Sequence, residues 1–191
     1  MGIDSMSYCL FTDDFKKKKV KYQDVSPALF ELYKKKISVE FADMMLEEGL
    51  CTYAEGLFTL VDPRVYDEVL KQYNVYSDKC ITLVKNAFGD LFYYDGFECR
   101  VLYTSYNEQY SFAGGDAVKY FFTFQLTDAA FLRKNFKKKL FGEAVKQYGK
   151  LDPDETYGFI PALPLGGEET CRSIRKVKTI EYLNSLSQAF L

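Results

Sequence analysis

Histidine is absent from the 191 residues of this chain, and its absence removes most common enzymatic chemistry. Ser-His-Asp and Cys-His catalysis both need an imidazole, and histidine is the usual acid–base group at neutral pH. Zinc sites are built from histidine and clustered cysteine. The five cysteines lie far apart with no Cys-x-x-Cys spacing, at Cys9, Cys51, Cys80, Cys99 and Cys171. We therefore expect no metal and no cofactor.

The chain also lacks a long apolar run and an excess of either charge. No segment approaches the ~18 apolar residues of a membrane span, and the first residues lack the basic start and apolar stretch of a signal peptide. Scattered cysteines are typical of reduced thiols, so we expect a cytoplasmic protein with no membrane partner. The net charge is −2 and the isoelectric point about 5.4, which disfavours a nucleic-acid partner and is compatible with a basic protein partner.

Aromatic residues are abundant, although tryptophan is missing. Hydrophobic residues make up 48% of the chain and aromatic residues 17%, with 17 Phe and 16 Tyr. This composition excludes a disordered chain, and the length favours one domain or two small ones. Because tyrosine has a polar end, many of the tyrosines are expected at the edge of the core or on binding surfaces.

Helix signals begin at residue 26. Ser26-Pro27 provides an N-cap followed by proline at the first helical position, and a break is predicted near Ile37-Ser38. A second helix then continues to Gly49, a favourable residue just past a helix end. Asp62-Pro63 predicts the start of the next helix.

Strand signals concentrate between residues 55 and 112. The segments are GLFTLVDP, KCITLVKNA, LFYYDG, FECRVLYTSY and EQYSFAGG, and Asp95-Gly96 is a strong hairpin signal. Helices flank this region on both sides. The sequence therefore predicts an α+β fold with a mainly antiparallel sheet flanked by helices.

The last third of the chain is more helical. Gly114-Gly115-Asp116 opens the segment AVKYFFTFQLT, which is ambiguous between a helix and a buried strand. Thr127 or Asp128 can cap a short helix, and NFKKKLFGEAVKQYG predicts a helix that stops at Gly149. A short strand is expected within residues 157–160, and VKTIEYLNSLSQAF predicts a closing amphipathic helix.

Two segments invite a chemical interpretation. Gly89-Asp90 interrupts an apolar run, so Asp90 is either a catalytic carboxylate or an ordinary turn residue. Because the chain has no histidine and no second carboxylate nearby in the sequence, the turn residue is favoured. The segment PLGGEET, residues 164–170, lacks the spacing and lysine of a phosphate-binding loop, so an ordinary loop is favoured. The three lysine runs, 16–19, 34–36 and 137–139, are interpreted as solvated faces.

Acidic residues cluster in two loops of the last third. They are either solubilising or an acidic surface that steers a basic partner. Exposed tyrosines among residues 93–110 are added to these acids as partner-binding candidates. The candidate acids are Asp152, Asp154, Glu155, Glu168 and Glu169.

Four segments in order resemble a known family. EEGLCTYAEGLFTLVDPRVYDEVL, AFGDLFYYDG, DETYGFIPALPLGG and VKTIEYLNSLSQ are similar to the GAD-like family, and the C-terminal part is similar to type VI secretion immunity proteins of the Tdi group. The resemblance covers roughly residues 26–190. It implies a GAD-like part over residues 1–112 and a Tdi-type part over residues 113–191, packed as one compact unit.

The resemblance implies a bacterial protein that is not an enzyme and that binds and neutralises a cognate toxin, a nuclease of the DNase type with a basic active site. In this interpretation AFGDL is a fold signature, in which Asp90 satisfies backbone groups. The alternative is a GAD-like binding module with a small-ligand or RNA-linked role. A third hypothesis is an enzyme with paired carboxylates, although no two acids pair convincingly in the sequence.

Overall fold

Helices account for much of the protein's first 50 and last 75 residues. The computed structural model describes residues 8–113 and 116–191, and the predicted Gly114-Gly115 opening lies outside them. The described residues form eight α-helices: α1 (Cys9–Phe15), α2 (Pro27–Lys36), α3 (Val39–Glu48), α4 (Asp67–Gln72), α5 (Ala117–Tyr120), α6 (Ala129–Asn135), α7 (Lys138–Tyr148) and α8 (Thr179–Ser187).

Two antiparallel sheets complete the α+β fold. The larger sheet is a meander in which each strand pairs with the next along the chain: β1 (Lys19–Gln23), β2 (Leu50–Tyr53), β3 (Phe58–Leu60), β4 (Ile81–Asn86), β5 (Leu91–Tyr94), β6 (Cys99–Tyr103) and β7 (Glu108–Ala113). The smaller sheet pairs β8 (Glu155–Phe159) with β9 (Ile174–Lys178). The predicted fold class is confirmed.

Local signals placed several boundaries correctly. The Ser26 side chain accepts a hydrogen bond from the backbone N–H of Leu29, and α2 ends where the break was predicted. Ser38 then caps α3 by accepting from Phe41 N–H. The Asp95 carboxylate accepts from the N–H groups of residues 97 and 98 in the predicted hairpin turn.

Other boundaries differ from the sequence prediction. The segment predicted as one closing helix begins as β9, because Val177 and Lys178 pair with β8 before α8 starts at Thr179. Asp62 caps a 3₁₀ turn over Pro63–Val65, and α4 begins only at Asp67. The ambiguous segment after Asp116 is helical, with α5 continuing into a π-helical turn over Phe121–Gln125.

One aromatic core runs through both halves of the chain. Phe92 on β5 stacks on Phe136, with ring centroids 4.7 Å apart and planes at 9°, and also on Phe121. A single cluster of buried apolar residues includes side chains from Tyr8 to Ile174. The helices of the C-terminal part therefore pack directly on the seven-stranded sheet.

Candidate functional site

The turn between β4 and β5, residues Asn86–Asp90, is a buried corner. The Asn86 side-chain oxygen accepts from the N–H groups of Phe88 and Asp90. Gly89 has φ +87°, a conformation that side chains rarely adopt. Asp90, 2% exposed, accepts from Asn86 Nδ2 and from Thr104 N–H at 2.9 and 3.1 Å.

These contacts favour the turn interpretation of Asp90 over the catalytic one. Burial raises the pKa of its carboxyl above the ordinary range, while the positive charge of Lys137 and the hydrogen bonds from Asn86 and Thr104 act in the opposite direction. Because the carboxyl is enclosed and satisfies a backbone donor, it holds the corner together. Substrate has no open route to it.

Strand β8 of the C-terminal part is hydrogen-bonded to this corner. The Ala87 carbonyl accepts from Tyr157 N–H at 2.8 Å and from the Thr156 hydroxyl at 2.7 Å. One residue before the corner, the buried Lys85 ammonium donates to the Glu155 carbonyl at 2.5 Å, and burial lowers the Lys85 pKa to about 8. The AFGDL segment is thus the joint between the two parts of the chain.

A series of side-chain hydrogen bonds connects this joint to the surface. Asn86 Nδ2 donates to the Asn135 carbonyl at the end of α6, and the Asn135 side-chain oxygen accepts from the Tyr103 hydroxyl at 2.7 Å. Burial raises the Tyr103 pKa to about 12, so the phenol remains a donor at neutral pH.

Next to it lies an ion pair within the C-terminal part, which Tyr106 of the GAD-like part joins through a hydrogen bond. The Lys137 ammonium is 2.6 Å from Glu169 Oε2, which also accepts from the Tyr106 hydroxyl at 2.8 Å. Phe88, Tyr106 and Phe159 place their ring centroids within 6.0 Å of the same ammonium. Lys137 itself takes a left-handed conformation, with φ 47°. Lys137 therefore departs from the predicted solvated face, whereas Lys138 and Lys139 of the same run are exposed.

Above this pair, β6, β7 and α6 enclose an open groove of about 760 Å³, which we call the β7 groove. Its walls combine tyrosines from the sheet with helix α6, which is capped by Asp128 and carries Lys134. The lining includes Tyr103, Tyr106, Glu108, Tyr110, Asp128, Lys134 and Lys137. Three of the tyrosines expected on a binding surface therefore meet in one place.

The five predicted acids do not form one surface. Asp152, Asp154 and Glu155 lie where β8 begins, and the last two pair with Lys178 and Lys176 of β9 at 2.6 and 3.1 Å. Glu168 and Glu169 lie beyond the opposite end of β8, where Glu169 binds Lys137 and Tyr106. Ion pairing within the chain neutralises three of the five carboxylates.

The Gly166-Gly167 loop is held by its own backbone. The N–H groups of Leu165 and Gly167 both donate to the Ala162 carbonyl, and Gly166 N–H donates to the Leu163 carbonyl. A Cβ on Gly167 would lie 1.9 Å from the Pro161 oxygen, so glycine is needed for a close approach. This supports the ordinary-loop interpretation, because these donors are already used.

Metal sites and membrane spans are both missing from the described part of the chain. Within residues 8–113 and 116–191, no group of three or more His, Cys, Asp or Glu side chains is arranged to hold a metal ion. In the same ranges, no helix is long and apolar enough to cross a membrane.

Comparison with known proteins agrees with the resemblance inferred from the sequence. Residues 6–105 match the GAD-like domain, and residues 116–189 match the T6SS immunity protein Tdi1, C-terminal. Because the first match covers more than half of the chain, the protein belongs to the GAD-like family. Its C-terminal part is similar to the C-terminal domain of the T6SS immunity protein Tdi1.

A solved structure shares the fold. The crystal structure of Atu4351 from Agrobacterium tumefaciens superposes with a TM-score of 0.74 at 16% sequence identity, covering 95% of this chain and 89% of that chain. At this identity the likeness concerns the fold alone. No curated protein matches the sequence.

Proposed function

We propose that this protein binds and neutralises a cognate type VI secretion toxin of the DNase type, in the cytoplasm of the cell that makes both. The observation that carries the proposal is the match of residues 116–189 to the Tdi1 immunity domain. The protein acts by binding alone in this proposal, without any reaction of its own.

The physical basis of neutralisation is competition for a basic surface. A DNase holds a polyanion, so its active site carries positive charge, and an inhibitor that presents carboxylates and tyrosines competes for it. Four of the predicted acids are exposed, and Asp152 and Glu168 are the two that form no ion pair with another described residue, so they are the best candidates for direct contact. Glu155 and Glu169 serve contacts within the chain.

Co-expression tests the function directly. The full chain is produced with the protein encoded by the gene immediately upstream, and growth rescue and co-purification are measured. We expect rescue and a stable complex. A toxic upstream product that the chain neither binds nor neutralises would refute the pairing.

Charge reversal tests the acidic contacts. Asp152→Lys and Glu168→Lys are compared with Asp43→Lys, a matched reversal at an exposed position on α3. We expect each of the first two to weaken the complex a few-fold, as rim charges do, with no change for the third. Equal binding by all three variants would exclude these acids from the interface.

The RNA-linked alternative makes a different prediction. It requires the lysine runs to lie free on one face, with binding that falls steeply as salt rises. Lys19 pairs with Glu48, Lys36 donates to the Cys80 carbonyl, and Lys137 binds Glu169. Each run therefore contributes a lysine to the protein's own structure, which favours the toxin-binding proposal.

A further inference from the structure

The two edges of the seven-stranded sheet differ in how they are protected. An exposed edge strand presents unpaired N–H and C=O groups, and proteins usually guard it with lysine, proline or a bulge. The β1 edge has two lysines, Lys19 and Lys21, and an irregular register between residues 21 and 23. The outer strand of the small sheet, β9, is also rich in Arg and Lys.

The β7 edge is guarded less along its exposed length, because its irregular register to β6 lies at the far end, between Ser111 and Ala113, and its one charged residue is Glu108. Its sequence, EQYSFA, contains neither lysine nor proline, and residues 108–111 are all exposed. Gln125 covers one end by donating to the Phe112 carbonyl at 3.0 Å. The rest of this edge is suited to pairing with another strand.

The side chains beside this edge favour a protein partner. Tyr106 and Tyr110 are 47% and 53% exposed, and the Tyr110 ring lies 5.7 Å from that of Tyr103. The Tyr106 and Tyr110 hydroxyls donate to Glu169 and Glu108, so these tyrosines offer a partner the apolar area of their rings and a hydroxyl oxygen that can accept a hydrogen bond, the combination that anchors protein interfaces.

We propose that the cognate toxin docks here by adding an extended segment to β7, with Tyr110 as a central contact. This inference rests on the proposed function and names the surface that performs it. Backbone pairing along β7 supplies affinity, and the side chains that enter the β7 groove supply specificity, as in other cases of strand addition.

The charges around the groove favour a basic protein, such as the proposed toxin, as the occupant. Glu108 and Asp128 line the groove, and the Lys137 charge is compensated by Glu169 at its floor. Lys134 is left as the cation facing two carboxylates. The groove is therefore mildly acidic, which suits a segment from a basic nuclease better than nucleic acid.

The two sheet edges provide a matched pair of variants. Tyr110→Lys places a guarding charge on β7, and Val20→Lys does the same on β1, where Val20 is 68% exposed. With the upstream-encoded protein as probe, we expect Tyr110→Lys to weaken binding on the order of tenfold or more, and Val20→Lys to leave it unchanged. Tyr110→Ser, which removes the ring without adding charge, should also weaken it on the order of tenfold.

Hydrogen exchange on the full-length complex locates the contact independently of mutation. We expect amides of residues 108–112 to become protected on binding, with residues 19–23 unchanged. Protection at β1 instead, or wild-type binding by both Tyr110 variants, would overturn the inference while leaving the proposed function intact.

Two further outcomes would also overturn it. A wild-type chain that is dimeric alone, and monomeric as Tyr110→Lys, would show that β7 pairs with a second copy. A wild-type chain that does not bind the upstream protein at all would remove the proposed function and this inference together.

Discussion

Gly89 lies at the joint between the two parts, against Thr156 and Leu183 of the C-terminal part. Its φ of +87° is unfavourable for other residues, and a Cβ there would lie 3.2 Å from Leu183 Cδ2 of α8. We expect Gly89→Ala to lower the free energy of unfolding by about 1–3 kcal/mol. Urea denaturation followed by circular dichroism measures this change.

Gly142 supplies the matched control for that substitution. It lies within α7, and a methyl group added at its Cα would have no neighbouring atom within 4 Å. Gly142→Ala should raise the free energy of unfolding by up to about 1 kcal/mol, because alanine is the better helix former. If Gly89→Ala were as harmless as Gly142→Ala, the strain assigned to the corner would be wrong.

Asp90 should make stability depend on pH in a defined direction. Its folded-state pKa is raised above the ordinary value of 3.8, so the folded protein binds the proton more tightly than the unfolded chain. The stabilisation that proton binding at Asp90 gives the folded protein is therefore complete below the unfolded-state pKa. It is lost as pH rises through the folded-state pKa. The free energy of unfolding of the wild type, relative to Asp90→Asn, should fall as pH rises from about 4 towards neutrality.

Urea titrations of the two proteins at several pH values test this direction. Since Asp90→Asn leaves the other titrating groups in place, the difference between the two curves isolates the carboxyl. A difference that instead grew with pH would mean that Lys137 and the hydrogen-bond donors outweigh burial, and that the pKa is lowered.

At the scale of elements, the Lys137–Glu169 pair ties the start of α7 to the loop before β9. Lys137→Met removes the ammonium from a side chain that is 16% exposed, and this ammonium lies among three aromatic rings. We expect Lys137→Met to lower the free energy of unfolding by about 1 kcal/mol. A double-mutant cycle with Glu169→Gln should give a coupling energy of similar size. Lys138→Met, at an exposed position in the same run, should be neutral, and a zero coupling energy would show that the pair contributes nothing.

Elements with a local signal were predictable from the sequence. The cap at Ser26, the break near Ile37-Ser38, the Asp95 turn and the stop at Gly149 depend on neighbouring residues, and the structure shows each of them. Strands β1 and β2 were not predicted, because they are short edge-side strands with lysine-rich or mixed sequences. Val177 and Lys178 fit a helical period, but pairing with β8 decides their conformation.

The candidate site was only partly predictable from the sequence, because several of its contacts join residues that are far apart along the chain. Tyrosine content predicted a binding surface within residues 93–110, and the β7 groove contains three of those tyrosines. The pairing of Lys137 with Glu169, 32 residues apart, and of Asn86 with Asn135, 49 apart, depends on the tertiary fold. No spacing in the sequence signals either contact, so the sequence did not predict that Glu169 binds Lys137 and Tyr106 within the chain.

At the scale of the whole molecule, the boundary between the two family matches does not coincide with a break in packing. Phe92 of the sheet stacks on Phe121 and Phe136 of the C-terminal part. Lys85 and Ala87 bind β8 through its backbone and the Thr156 hydroxyl. Separation of the parts would expose these rings and leave buried polar groups without partners, which costs several kcal/mol in total.

We therefore predict that the full chain unfolds in one cooperative transition. Urea unfolding monitored by far-ultraviolet circular dichroism, which reports mainly on helices, should coincide with unfolding monitored by tyrosine fluorescence, which reports on aromatic packing. Gly89→Ala should shift both curves by the same amount, since its site lies at the joint between the parts. Two separate transitions, with only one moved by Gly89→Ala, would show that the GAD-like part and the Tdi1-type part are independent units, and toxin binding could then be assigned to one of them alone.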